Sequence, residues 1–137
     1  MTQKSTLRTF LWYNKGLQDA LKFYKATFGV DMEVAEENLI SQNLFTAEFA
    51  ILGHRLIGMN TPGGEKFNSA ISLSLQVDGQ EGEPGQCGWC KDEWGVSWQV
   101  TPYQMGEYVG NPDQSIAQKN WSILMGMTKI QLSEFVK

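Results

Sequence analysis

Apolar and polar positions along this chain repeat with two different periods, and the changes of period mark its elements. Leu7 to Tyr13 reads as a short strand ending at Asn14-Lys15-Gly16. From Leu17 the spacing becomes helical: Leu17, Ala20, Leu21, Tyr24 and Phe28 fall on one side, with Lys15, Gln18, Asp19, Lys22 and Lys25 on the other. Gly29 is placed to stop that helix. Met32 to Glu37 carries a weaker strand pattern. Leu44 to Leu52 carries a strong one, with Phe45, Ala47, Phe49 and Ile51 on one face. Gly53-His54 is then expected to turn the chain into a strand over Leu56 to Asn60.

Thr61-Pro62-Gly63-Gly64-Glu65-Lys66 has the composition of a linker. Ala70 to Val77 alternates again, Ile71, Leu73, Leu75 and Val77 against Ser72, Ser74 and Gln76. After the polar loop Asp78 to Gly85, residues 86–102 predict a hairpin. Asp92 to Gly95 is its turn, and Val96, Trp98 and Val100 share a face opposite Ser97 and Gln99. Trp89, Trp94 and Trp98 lie within ten residues, which predicts that this hairpin rests on a large apolar surface. Asn111 as cap, Pro112 and Gln114 predict a helix running to about Met125. Its stripe would be Ala117, Trp121, Leu124 and Met125, with Gly126 as stop. Ile130 to Val136 could pack back as a last helical turn.

Composition narrows the picture. At 137 residues the chain suits one domain with one core, and 42% hydrophobic with 19% charged residues suits a globule rather than a disordered chain. A formal charge of −4 argues against a nucleic-acid surface. No apolar run approaches the roughly 20 residues of a membrane span, and the N-terminus lacks the apolar core of a signal peptide. Two cysteines without an export signal point to a cytoplasmic protein with reduced thiols.

Phe10-Leu11-Trp12-Tyr13, Phe23-Tyr24, the run Gln86-Cys87-Gly88-Trp89-Cys90-Lys91-Asp92 and the run Ser97-Trp98-Gln99-Val100-Thr101-Pro102 resemble the PhnB-like proteins. Those belong to the vicinal oxygen chelate superfamily of glyoxalase I, bleomycin-resistance proteins and extradiol dioxygenases, and are often labelled 3-demethylubiquinone-9 3-methyltransferase. The likeness extends to Asn111 to Gln114 and Met125 to Ile130. It implies an α+β fold of two βαβββ modules whose curled mixed sheets enclose a cleft, followed by a C-terminal helix and commonly completed as a homodimer. On that plan the chain is one domain: a first module over about 5–60, a linker at 61–67, a shortened second module at 68–102 and a helical tail at 111–137.

One departure stands out. The second module should carry a helix after its first strand, yet Val77-Asp78-Gly79-Gln80 runs almost straight into Glu83-Pro84-Gly85-Gln86. Losing that helix and a strand would expose apolar surface at about 25 cal/mol per Å². The juncture between Gln80 and Glu83 therefore reads as a place where a segment is missing from this chain rather than truly deleted.

The superfamily's enzymes hold a divalent metal with four side chains that point into the cleft. The resemblance carries those positions onto Thr9, Gly58 or Asn60, Ser72 and Gln99. Thr9, Leu11 and Tyr13 are then expected to face the cleft, with Phe10 and Trp12 against the helix. Alcohols and amides bind divalent metals weakly, so neither a metal nor another cofactor is expected.

Single residues carry little more. His54, the only histidine, is expected in a solvated turn at a hairpin tip, away from the cleft. Cys87 and Cys90 lie three apart on an expected strand, so their sulfurs should point to opposite faces as structural thiols. Glu48 and Glu65 have no evident partner. Gly63-Gly64 leads into a strand, not the helix that a nucleotide-binding loop needs. Trp12, Trp89, Trp94, Trp98 and Trp121 are mostly expected in the core.

These readings predict a metal-free protein binding a small apolar or aromatic molecule, with no nucleic-acid or membrane partner. Its cleft would be lined by Thr9, Leu11, Tyr13, Met59, Asn60, Ser72, Trp89 and Gln99. The alternative is an enzyme of the glyoxalase or dioxygenase type, using Gln99, Tyr13 or Ser72 or an unseen metal. No catalytic residue is assigned. The scarcity of titratable groups at these positions favours binding over acid–base chemistry.

Overall fold

In the computed structural model, which describes residues 4–78, 89–127 and 132–137, the chain divides into two units, Met1–Lys66 and Phe67–Lys137. The first holds β1 (Thr9–Tyr13), α1 (Leu17–Phe28), a 3₁₀ turn (Gly29–Asp31), β2 (Met32–Ser41), β3 (Leu44–Ile51) and β4 (His54–Asn60). Its sheet has the order β1-β4-β3-β2, with β1 parallel to β4 and the other neighbours antiparallel. The helix spans the residues its period predicts. Gly16 precedes it with φ 85°, and Gly29 ends it with φ 59°, a backbone that glycine adopts without strain.

Leu17, Ala20, Leu21 and Tyr24 are buried on α1, and Leu11, Tyr13, Phe45, Ala47, Phe49, Ile51 and Leu56 are buried on the sheet. Tyr24 stacks on Phe49 with ring centroids 6.3 Å apart, and its hydroxyl lies 2.8 Å from that of Tyr13. A Cβ built at Gly58 would lie 2.8 Å from Leu17 Cδ1, so glycine lets the helix approach β4. Burying side chains such as Leu17 and Leu56 contributes about 1.5–3 kcal/mol each.

The hairpin joining β3 to β4 turns one residue earlier than expected. Leu52 (φ 51°) and Gly53 (φ 81°) both take positive φ, as a two-residue turn matching strand twist requires, and Ile51 pairs with His54. His54 is thus a strand residue. β2 is also longer than Met32 to Glu37. It forms one edge of the sheet, and everything on it after Met32 is exposed, Val34, Leu39 and Ile40 included.

The second unit contains β5 (Leu73–Val77), β6 (Trp89–Lys91), β7 (Ser97–Pro102), α2 (Met105–Val109), α3 (Gln114–Met125) and a 3₁₀ turn (Leu132–Glu134). Its strand order β5-β7-β6, with β5 parallel and β6 antiparallel to β7, repeats the arrangement β1-β4-β3. Thirty residues separate β1 from β3, whereas eleven separate β5 from β6. The juncture at Gln80 to Glu83, and Cys87 with it, lies outside the described residues.

Asp92 organises the second hairpin as the turn pattern predicts. Its Oδ1 accepts from Trp94 N (3.1 Å) and Val96 N (3.0 Å), and its Oδ2 accepts from Trp98 Nε1 (3.1 Å). Trp89 packs against a cluster of Leu124, Met127 and Phe135, which supplies the apolar surface expected beneath this hairpin.

Two expectations for the tail need correction. The cap of α3 is Asp113, whose Oδ1 accepts from Ser115 N (2.9 Å), while Asn111 Oδ1, two residues earlier, accepts from Asp113 N. Its buried stripe runs through Asn120 and Leu124, leaving Trp121 and Met125 about half exposed. Asn120 is buried because its amide bonds backbone: Nδ2 donates to Tyr108 O (3.0 Å) and Val136 O (2.8 Å), and Oδ1 accepts from Val136 N (2.7 Å). Beside it, Phe135 stacks on Tyr108 at 5.1 Å.

Candidate functional site

The register of the first sheet sorts the expected cleft residues by face. Thr9, Leu11 and Tyr13 pair with Leu56, Gly58 and Asn60, and this is the face that α1 covers. Leu11 and Tyr13 are buried there, at 8% and 1% exposure. Asn60 Oδ1 accepts from Leu17 N at 3.1 Å and so closes the start of a helix that lacks a side-chain cap of its own. The expected parity of β1 is therefore reversed. Phe10 and Trp12 look away from the helix, and Tyr13 looks toward it because its hydroxyl meets Tyr24.

His54 also departs from expectation. Its Nε2 lies 2.9 Å from Thr9 Oγ1, so the ring sits beside one of the supposed ligand positions. Thr9 and Asn60 thus spend their oxygens on His54 and Leu17, and Gly58 is filled by Leu17. Ser72 precedes β5, and Gln99 pairs with Ser74 and Trp89 in the second sheet. This donor set, neutral throughout and partly engaged, does not fit a divalent metal. Among the described residues, no three His, Cys, Asp or Glu side chains gather closely enough to hold one.

Trp89 belongs to the C-terminal apolar cluster, where its Nε1 and the Oγ of neighbouring Ser97 are buried without a hydrogen bond among the described residues. Cys90 lies opposite Trp98 on the other face of that hairpin.

Of the expected set, Met59 alone stands on the face of the first sheet that α1 leaves uncovered. There Phe10 pairs with Ile57 and Trp12 with Met59, making a block of four apolar side chains. Phe10 is 54% exposed and the other three are half-buried. Trp12 is fixed by the linker: its Nε1 donates to Thr61 O at 2.8 Å, and the backbone of Gly63 rests on its ring. Asn14 holds the same linker, its Oδ1 accepting from both Gly63 N and Gly64 N at 3.0 Å. Those amides are consequently engaged and do not form a phosphate cradle.

Toward the other end of the strands this face becomes charged. Arg8 forms an ion pair with Glu48, which does have a partner. Arg55 and Glu33 flank Ala50 from β4 and β2. Arg8, Glu48, Arg55, Glu33 and Ala50 border a depression of about 290 Å³. The sequence reading missed these residues because it put Thr9, not Arg8 and Phe10, on the uncovered side. The polar counterpart of the Phe45 to Ile51 stripe, Thr46, Glu48 and Ala50, was the available signal.

A model of the 3-demethylubiquinone-9 3-methyltransferase family matches residues 5–101. The chain belongs to that family. Among solved structures it is similar to a PhnB protein from Bacillus cereus placed in the same methyltransferase group, with TM-score 0.60 and 20% identity over 72% of this chain and 99% of that one. It is also similar to protein PA1353 from Pseudomonas aeruginosa, with TM-score 0.53 and 16% identity over 72% and 98%. No curated protein matches the chain. The family match and both structures establish a PhnB-like α+β fold, consistent with the vicinal oxygen chelate superfamily. Among the described residues no helix is long and apolar enough to cross a membrane.

Proposed function

We propose that this protein binds a small apolar or aromatic molecule without a metal, seating it on the face of the first sheet that α1 leaves uncovered. The observation carrying this reading is the block of Phe10, Trp12, Ile57 and Met59, apolar side chains adjacent in register that the helix does not bury. Aromatic and thioether groups around a few polar ones suit planar ligands. A cytoplasmic homodimer goes with this reading.

Methyl transfer, the activity in the family's name, finds less support. The only paired glycines near the first sheet give their N–H groups to Asn14, and no glycine-rich loop opens a helix among the described residues. Metal analysis of the purified protein, with thermal-shift measurements against small aromatics and S-adenosylmethionine, tests the proposal. Stabilisation by aromatics alone is expected, and Trp12→Ala should remove it. Stoichiometric metal, stabilisation by S-adenosylmethionine, or no response to any aromatic would defeat it.

A further inference from the structure

We infer that the ligand taken on this face is a zwitterion, an α-amino acid or close analogue with an apolar side chain; this rests on the binding reading above and specifies its chemistry. The row Arg55, Ala50, Glu33 crosses the uncovered face and changes sign along its length, and Arg8 lines the same depression. Arg8 is engaged by Glu48, whereas Arg55 and Glu33 have no ion-pair partner among the described residues. They stand on strands two spacings apart, so their backbones are about 10 Å from one another. Ala50, the small residue between them, leaves the depression open.

A second depression, of about 380 Å³, shares Glu33 and Ala50 with the first and adds Asp31, Val30 and Leu52. Val30 and Leu52 are exposed at 88% and 54%. Arg55 bounds the first depression on one side and Glu33 on the other, Arg8 being paired with Glu48, and Phe10 and Ile57 stand on the same face two residues on from Arg8 and Arg55. A guanidinium suits a carboxylate, since its fork of donors matches two oxygens. Glu33 suits an ammonium, and Phe10 and Ile57 of the apolar block suit an apolar side chain. A ligand carrying a single charge would satisfy only one of the two.

Binding of L-phenylalanine, phenethylamine and hydrocinnamate to the intact protein, measured by calorimetry and amide NMR shifts, tests this. The amino acid should bind about tenfold or more tightly than either singly charged analogue. Arg55→Gln should erase its advantage over phenethylamine, and Glu33→Gln its advantage over hydrocinnamate. Ala50→Leu should block the depression. Both charged positions are on exposed side chains, and a thermal melt of each variant checks the fold. Equal binding of all three compounds, or a preference unchanged in both variants, overturns the zwitterion and leaves apolar binding standing. No binding of any compound up to about 10 mM, with a positive aromatic screen, likewise overturns it, whereas failure of that screen removes the underlying reading.

Discussion

Tyr13 and Tyr24 bring their hydroxyls to 2.8 Å inside the first unit, on the face of β1 that α1 covers. Both side chains are about 1% exposed, so the bond forms in a dry environment where it counts for more than at the surface. Replacing Tyr24 by Phe should cost about 1 kcal/mol in urea denaturation. The same change made on a Tyr13→Phe background should cost less, with a coupling of about 0.5–1.5 kcal/mol in the double-mutant cycle. Additive costs would mean the hydroxyls do not depend on one another.

Asn120 joins three pieces of the second unit through Tyr108 and Val136. Asn120→Leu keeps the bulk and strands three backbone groups, so a loss of about 2 kcal/mol or more is expected. Hydrogen exchange at the Val136 amide should accelerate in step with it. Unchanged exchange would show that the tail is held by Phe135 alone.

Gly63 and Gly58 both lie close to side chains, but the neighbours differ in what they can do. At Gly63 an added methyl would fall inside the indole of Trp12, a rigid plate fixed by Thr61. At Gly58 it meets the end of Leu17, which can rotate. Gly63→Ala should therefore displace the linker and red-shift tryptophan emission. Gly58→Ala should cost about 1–3 kcal/mol by overpacking while leaving that emission near its starting value.

Asp113 supplies the pH dependence. The Ser115 hydroxyl, then the backbone N–H groups of Ser115 and Ile116, hold its carboxyl below the ordinary value. Its folded form favours ionisation, so its stabilising effect is present above the unfolded value near 4 and is lost as pH falls through the lower folded value. Protection of the first turn of α3 in hydrogen exchange should decline over that acidic range. Asp113→Ala should lower it already at neutral pH.

How far the fold could be read in advance varied with the kind of signal. α1 appears where a three-and-four spacing between Gly16 and Gly29 puts it, because period and stops agree. The Asp92 turn is legible for a similar reason, since one carboxylate near glycine can satisfy several turn amides. The facing of β1 was not legible. Phe10, Leu11, Trp12 and Tyr13 are all apolar, so alternation carries no information there, and tertiary packing under α1, the contact of Tyr13 with Tyr24 included, breaks the tie. Asn120 escaped notice for a related reason: an amide on a helix reads as solvent-facing until its three backbone partners are known. The charged row from Arg55 to Glu33 draws on three strands, and only the register assembles it.

The exposed margin of the first sheet sets a practical boundary on how this molecule can be handled. β2 is an edge strand that exposes Val34, Leu39 and Ile40, and among the described residues no strand pairs with its outer side; Glu33, Glu36 and Glu37 are its guards. Replacing all three by glutamine removes that repulsion, so two molecules can zip together along their margins. Turbidity would then precede denaturation when that variant is concentrated or heated.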